Sequence, residues 1–118
     1  MNTLYRSARA DSPHLGHGSF WTTSREHAEW FRAWEARTFP SVGASRIYQT
    51  EVALDDGTVA DRRVLGTSPS MNESVLAAAD ALVEAGYAWV LIHEGPIEGQ
   101  WWTVAVYLGD DPVPARPA

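Results

Sequence analysis

The chain has 118 residues, 45% of them hydrophobic and 20% charged, so it is long enough for one packed core and too short for two domains. Its formal charge of −6, with nine cations that are all Arg, argues against binding to nucleic acid, which depends on clustered cations. The absence of Cys excludes disulfides, thiolate metal sites and cysteine nucleophiles. The N-terminus lacks an apolar signal core, and no apolar run approaches the ~20 residues that cross a bilayer, so we predict a cytoplasmic protein.

Two short strands separated by a loop are predicted near the N-terminus. The stretch "TLYRSA" has strand-forming residues, with Leu4 and Arg6 on one face and Tyr5 on the other. The next stretch, "RADSPHLGHG", has the Pro, Asp and Gly content that is typical of a loop. Ser19 to Thr22 then predicts a second, very short strand.

An amphipathic helix is predicted directly after the second strand. Thr23 and Glu26 have the spacing of a capping box, in which each side chain bonds the other residue's backbone N–H. An apolar stripe with spacing i, i+3, i+4, i+7 follows, formed by His27, Trp30, Phe31 and Trp34. We predict that this stripe packs in the core and that the helix runs to about Arg37.

The second half of the chain alternates strands with one further helix. "RIYQTEVAL" predicts a strand, and the turn at 55–57 implies that "TVADRRVL" pairs back on it or runs on as a short strand. A second capping box, Ser70 and Glu73, begins a helix that stops at Gly86. "YAWVLIH" is apolar on both faces and predicts a central strand, and "WWTVAVYL" predicts the last strand.

The order of these elements predicts an α+β fold, in which two main helices cover a mixed or antiparallel sheet. We assign residues 1–108 to a single domain. Residues 109–118 form a Pro-rich C-terminal tail, which we predict to be frayed. The sequence identifies neither an oligomeric state nor a partner protein.

Four stretches of the chain together resemble a known family. "LYRSA", "GHGSFWTTSREHAEWF", "RIYQTEVAL" and "AGYAWVLIHEGPIEGQWWTVAVYL" are similar to the ADP-ribosyltransferase-like fold of small bacterial and phage transferases and toxins. Those proteins begin with Tyr-Arg or Tyr-His on the first strand, followed by a Gly-rich loop and an aromatic strand that ends in Ser or Thr. The resemblance spans most of residues 3 to 108 and implies a split sheet.

The resemblance implies NAD⁺ as the substrate, bound in the cleft of the split sheet. The implied activity is transfer of ADP-ribose to an acceptor, possible acceptors including a protein, or hydrolysis of NAD⁺ by the same site. An alternative is a catalytically inactive module of the same fold that binds a nucleotide or a protein. No metal is implied, and the H-x-x-H spacing of His14 and His17 lacks the third ligand that a catalytic zinc needs.

By the same resemblance, NAD⁺ is held by residues of the first strand, the loop and the second strand: Tyr5, Arg6, Ser7, His17, Gly18, Trp21 and Thr22. A guanidinium such as that of Arg6 can bind a pyrophosphate oxygen pair bidentately, and an aromatic face, from Trp21 or Phe20, can stack on a flat ring. The alternative for Arg6 is a structural ion pair with a nearby Glu, and for Trp21 a place in the core. Phe20 is expected to pack inward rather than to contact the ligand.

Cleavage of the bond between nicotinamide and ribose passes through an oxocarbenium-like state, which a carboxylate stabilises. The resemblance places that carboxylate near the start of a late strand, and we assign it to Glu98, the last acid before "WWTVAVYL". Glu94 and then Glu51 are the alternatives. An exposed loop position without a chemical role is the other interpretation of Glu98.

Overall fold

The computed structural model describes residues 1–54, 59–61, 79–97 and 99–118. Seven strands, a long helix, a 3-10 turn at Pro40–Val42 and the helical residues 79–84, labelled α2, are assigned in these ranges. The other elements in chain order are β1 (Asn2–Arg9), β2 (Phe20–Thr22), α1 (Arg25–Thr38), β3 (Ser45–Val52), β4 (Val59–Asp61), β5 (Trp89–Ile97), β6 (Gln100–Tyr107) and β7 (Arg116–Pro117). The predicted turn at 55–57 and the second capping box, Ser70 and Glu73, lie outside the described residues.

The strands form one mixed sheet with the order β4-β5-β6-β2-β1-β3-β7. Neighbouring strands are antiparallel except β4 and β5, which are parallel. The predicted α+β class, with a mixed sheet and two helices, is therefore confirmed. The sheet is continuous rather than split, because the three-residue strand β2 joins β6 to β1.

Strand β4 is a short strand that does not pair back on β3, so the first of the two predicted alternatives is wrong. Val59 to Asp61 lie beside Trp89 to Leu91 of β5 in parallel register. A parallel pair needs a crossover connection instead of a hairpin turn, and the chain between these strands contains α2. Since β4 and β6 flank β5, the predicted central position of "YAWVLIH" is confirmed.

The two faces of the sheet belong to two separate hydrophobic clusters. Val104 and Val106 lie in one cluster, and the intervening Ala105 lies in the other, as the alternation along a strand requires. The first cluster contains Ala79 and Leu82 of α2. The second cluster is closed by residues of the loop before β2 and of the C-terminal segment, such as Leu15 and Val113.

Helix α1 begins one residue later than the predicted capping box. Ser24 has extended backbone angles, and its hydroxyl accepts a hydrogen bond from the backbone N–H of His27 at 3.3 Å. Thr23 directly follows β2 and is still bonded to the sheet, because its N–H donates to the carbonyl oxygen of Thr103 at 3.3 Å. The predicted cap at Thr23 is therefore wrong, while Glu26 lies in the first turn, where a negative charge favours the helix dipole.

The aromatic stripe of α1 is only partly in the core. His27 and Ala28 are buried, but Trp34 is 37% exposed, and Trp30 and Phe31 are partly exposed. The helix packs against β1, β2 and β3, and His27, Ala28, Phe31 and Trp34 line a cavity between it and the sheet. The prediction that Trp30 and Trp34 are core residues is wrong for Trp34.

The C-terminal segment packs on the sheet, so the prediction of a frayed tail is wrong. Val113 is 3% exposed, and its N–H donates to the carbonyl oxygen of Leu15 at 2.9 Å. Strand β7 pairs with β3, and the hydroxyl of Thr50 donates to the carbonyl oxygen of Pro114. The segment satisfies hydrogen-bonding groups of β3, which would otherwise be an edge strand.

Candidate functional site

The sheet opens at the junction of β1 and β2. These two strands share one register pair, Tyr5 with Thr22, whereas β1 and β3 share eight. Arg6 lies where the backbone pairing with β2 ends. Its Nη1 donates to the carbonyl oxygen of Phe20 at 3.1 Å, and its Nε donates to the carbonyl oxygen of His14 at 2.8 Å. The guanidinium of Arg6 thus links β1 to β2 and to the loop between these strands at the opening.

The charge of Arg6 is partly removed from water. Burial lowers the pKa of its guanidinium, and the negative charge of Glu35 on α1 opposes that shift. No carboxylate of the described residues lies within ion-pair distance of Arg6. Arg6 thus interacts electrostatically with Glu35 without forming a close ion pair in the described part of the chain.

A cavity of about 210 Å³ lies between this opening and α1. Its walls come from β1, β2, β6 and one face of α1: Tyr5, Arg6, Ser7, Phe20, Trp21, Thr22, His27, Ala28, Phe31, Trp34, Glu35 and Val104. Five of the seven residues that the resemblance assigns to NAD⁺ are in this set. The residues adjacent on β1 and β2 are brought together because Tyr5 and Thr22 are register partners.

Ser7 brings a polar atom into the cavity wall. Its hydroxyl oxygen is buried and has no hydrogen-bond partner among the described residues. Buried polar groups are nearly always hydrogen-bonded, since an unsatisfied one costs about 1–3 kcal/mol. Ser7 is thus a residue of the cavity wall whose hydroxyl lacks a hydrogen-bond partner among the described residues.

Trp21 forms part of the wall but belongs mainly to the core. It is 1% exposed, and its indole N–H donates to the hydroxyl of Ser19 at 2.9 Å. The partly exposed aromatic side chains of the cavity are Tyr5, Phe20, Phe31 and Trp34. Of the two predicted stacking residues, Phe20 is therefore the more accessible.

His27 is a cavity residue for which the sequence predicts only a packing role. It is fully buried, it stacks on Trp102 with ring centroids 4.8 Å apart, and its Nδ1 lies 3.0 Å from the hydroxyl oxygen of Thr22. Burial lowers the pKa of His27 to about 4. The imidazole is therefore neutral at physiological pH and holds Thr22 in place against the wall.

Glu35 is the second cavity residue without a predicted role. It is the one acidic side chain in the wall as far as the described residues show. His27, Phe31 and Glu35 are spaced four residues apart, so they lie on one helix face. That spacing is the sequence signal that connects Glu35 to the cavity.

The other two predicted NAD⁺ residues lie outside the cavity wall. His17 Nδ1 is 2.9 Å from the carbonyl oxygen of Leu108, and the N–H of Gly18 donates to the carbonyl oxygen of Tyr107 at 2.8 Å. These bonds attach the loop to the end of β6. Gly18 has a φ of 82°, which a residue with a Cβ rarely adopts.

The predicted catalytic carboxylate, Glu98, lies outside the described residues. Of the alternatives, Glu94 lies in β5 opposite Trp102 in the register of β6. Glu51 is exposed on β3 opposite Thr3 and is not among the cavity residues. In the described part of the chain, the predicted NAD⁺ residues Arg6 and Ser7 thus line one cavity together with Glu35. The catalytic role of Glu98 stays a prediction.

The described residues show neither a metal cluster nor a membrane-spanning helix. No group of three or more His, Asp or Glu residues there is arranged to hold a metal ion. None of the helices described is both long and apolar enough to span a membrane. His14 and His17 are joined instead by a contact of 3.0 Å between the His14 ring Nε2 and the His17 carbonyl oxygen.

Comparisons with protein-family models, with curated proteins and with solved structures each gave no match to this chain. No relative therefore supplies a function. A functional conclusion depends on the residues around the opening of the sheet. These are the partly buried guanidinium of Arg6, the hydroxyl of Ser7, which has no partner among the described residues, and the aromatic and acidic face of α1.

Proposed function

We propose that the chain is an NAD⁺-consuming enzyme of the ADP-ribosyltransferase type, which transfers ADP-ribose to an acceptor or hydrolyses NAD⁺. The observation that supports this proposal best is the composition of the cavity wall. Tyr5, Arg6, Ser7, Trp21 and Thr22 meet at the opening between β1 and β2. They are the part of the predicted NAD⁺ site that comes from the two strands.

The charge and polarity of the wall suit a dinucleotide. Arg6 carries the cation that a pyrophosphate requires, and its position is fixed by the carbonyl oxygens of His14 and Phe20. The hydroxyl of Ser7 can donate to a ligand oxygen. Partly exposed aromatic rings, including Tyr5 and Phe31, offer flat faces for a base or a pyridine ring.

The size of the cavity indicates which part of NAD⁺ it takes. Pockets for ligands of drug size have volumes of about 300–1,000 Å³. The cavity beside Arg6 has about 210 Å³. It therefore admits one ring system, and the remainder of the dinucleotide would extend past Arg6 at the opening between β1 and β2.

In the proposed reaction, the bond between ribose C1′ and the nicotinamide nitrogen breaks, and its electron pair leaves with nicotinamide. An acceptor oxygen or nitrogen, or water, then forms a new bond to C1′ and loses a proton. The developing positive charge on the ribose needs a nearby carboxylate, for which Glu98 is the prediction. Glu98 lies outside the described residues, so this role rests on the resemblance alone.

Incubation of the protein with NAD⁺, followed by chromatography of released nicotinamide, tests the proposal. A thermal-shift titration with NAD⁺ is run in parallel. We expect nicotinamide release that depends on the protein. A thermal shift without release would favour the inactive nucleotide-binding module, and the absence of both effects would overturn the NAD⁺ assignment.

A protein-binding module is the second candidate, and one observation favours it. Trp34 and Phe39 are 37% and 50% exposed and form an edge contact, with ring centroids 5.7 Å apart. Exposed aromatic residues are enriched at the centres of protein interfaces. The acceptor protein of a transferase would contact the same surface, so this observation is compatible with either function.

The cytoplasmic location stays a prediction from the sequence.

A further inference from the structure

The cavity contains opposite charges on opposite sides. Arg6 stands on β1, and Glu35 stands on α1. The guanidinium is bound to two carbonyl oxygens, and no cation of the described residues lies within ion-pair distance of the Glu35 carboxylate. Glu35 therefore brings to the wall a negative charge that interacts with Arg6 but forms no close ion pair with it.

The position of Glu35 differs from that of the other acids on α1. Glu29 is exposed and pairs with Arg25 at 3.4 Å, four residues earlier on the helix. Glu35 is partly buried beside Phe31 and Trp34, which also line the cavity. A carboxylate among aromatic side chains attracts a cation, because the faces of aromatic rings carry partial negative charge that adds to the full charge.

We propose that Glu35 and the aromatic wall beside it recognise the positively charged nicotinamide ring of NAD⁺, so that the site selects the oxidised over the reduced dinucleotide. This inference rests on the proposed function and adds a specificity-determining residue to it. The ring is flat, cationic and small enough for the cavity. NADH has nearly the same shape, but its dihydronicotinamide ring is uncharged.

The test compares the dissociation constants of NAD⁺ and NADH for the wild type, Glu35→Gln and Glu29→Gln. Glu35→Gln keeps the shape of the side chain and removes its charge, and Glu29→Gln removes the same charge from the exposed side of the same helix. We expect Glu35→Gln to weaken NAD⁺ binding about tenfold and to leave NADH binding unchanged. Glu29→Gln should leave both constants unchanged.

Two outcomes separate this inference from the function on which it rests. If the wild type binds NAD⁺ and Glu35→Gln keeps the wild-type ratio of the two constants, Glu35 does not recognise the ring charge, although the proposed function stands. If the wild type binds no NAD⁺, the proposed function fails, and the inference fails with it.

A measurement on the wild type alone covers the case in which Glu35→Gln does not fold. 1-Methylnicotinamide, which is methylated on the ring nitrogen, carries the ring cation, and nicotinamide is its neutral counterpart of similar size. We expect 1-methylnicotinamide to displace NAD⁺ at a lower concentration than nicotinamide does. Equal displacement by the two compounds would overturn the inference.

Discussion

The guanidinium of Arg6 binds the carbonyl oxygen of Phe20 at the point where β1 and β2 stop pairing. A side chain thus takes the place of the next backbone hydrogen bond of the sheet. The side chain of Arg6 connects β1 and β2 beyond their last paired residues, where the two backbones no longer bond each other. The space between these strands and α1 forms the cavity. One residue therefore contributes both to the fold and to the charge of the candidate site.

Replacement of Arg6 by Ala should reduce both stability and ligand binding. The carbonyl oxygens of His14 and Phe20 would lose their donors, which corresponds to about 1–3 kcal/mol of unfolding free energy. Loss of a charge-assisted bond to a phosphate should weaken NAD⁺ binding by about 1.5–3 kcal/mol. Denaturant unfolding and calorimetric titration measure the two effects.

Arg9→Ala is the matched control for Arg6→Ala. Arg9 lies on the same strand, and its guanidinium is exposed and pairs with Asp11 at 3.2 Å. An exposed ion pair contributes about 0–1 kcal/mol, so this variant should keep nearly full stability and affinity. Wild-type stability of Arg6→Ala would contradict its structural role, and wild-type affinity would contradict its role in binding NAD⁺.

Stability should decrease in mild acid because of His27. Its folded-state pKa of about 4 is below the ordinary value of 6.5, so protonation favours the unfolded chain. The stabilisation is complete above pH 6.5 and is lost as the pH falls toward 4. Between pH ~7.5 and ~5 the loss should be about 2 kcal/mol. Denaturant midpoints across this range measure it.

His27→Phe is the variant that isolates this effect. Phe keeps a flat ring against Trp102 and cannot be protonated. The variant loses the contact with the Thr22 hydroxyl, so its stability is lower at neutral pH, but the slope between pH ~5 and ~7.5 should flatten. An unchanged slope would show that other groups cause the acid sensitivity.

Features specified by local sequence were predicted well. The alternation of "TLYRSA" and "RIYQTEVAL" identifies β1 and β3, and the composition of "RADSPHLGHG" identifies the loop between β1 and β2. These patterns depend on residues within a few positions of one another. The helix α1 was predicted for the same reason, although its first residue was displaced by one.

Features that depend on distant residues were missed. Ser24 rather than Thr23 caps α1 because the N–H of Thr23 donates to Thr103, eighty residues away in the chain. The spacing of His27, Phe31 and Glu35 defines one helix face, but only the tertiary structure shows that this face meets a cavity instead of a filled core. The pairing of β4 with β5 is likewise non-local.

The position of the helix cap is testable by a pair of substitutions. Ser24→Ala removes the hydroxyl that accepts from the N–H of His27, and an N-cap of this kind contributes about 1 kcal/mol. Thr23→Ala removes an exposed side chain outside the cap and should cost less than about 0.5 kcal/mol. Chemical denaturation of both variants compares them. A larger loss of unfolding free energy for Thr23→Ala than for Ser24→Ala would show that Thr23, the residue predicted from the sequence, is the N-cap.

Gly109 should be intolerant of a side chain. A Cβ at this position would overlap the hydroxyl of Tyr107 and lie 2.5 Å from its ring Cζ. Tyr107 packs beside Trp89, with ring centroids 4.9 Å apart, so its ring cannot move without disturbing that contact. We expect Gly109→Ala to cost about 1–3 kcal/mol, as overpacking does.

Gly16→Ala is the control for Gly109→Ala. A Cβ at Gly16 would have its nearest neighbour, a ring carbon of His14, at 3.7 Å, which is an ordinary contact. Thermal unfolding should show a lower midpoint for Gly109→Ala and nearly the wild-type midpoint for Gly16→Ala. Equal midpoints for the two variants would mean that the ring of Tyr107 adjusts freely.

The last prediction concerns the carboxylate of the proposed reaction. Glu98→Gln keeps the shape of the side chain and removes its charge, so NAD⁺ affinity should change little while nicotinamide release falls. A roughly hundredfold fall corresponds to about 2.7 kcal/mol of transition-state stabilisation, within the range of one preorganised charge. Glu94→Gln is the matched control and should retain release.

If Glu94→Gln abolishes release and Glu98→Gln does not, the carboxylate is Glu94. If neither variant changes release, Glu51→Gln is tested next, although Glu51 is exposed on β3 outside the cavity wall. If the wild type binds NAD⁺ and releases no nicotinamide, the chain is a nucleotide-binding module without the catalytic acid.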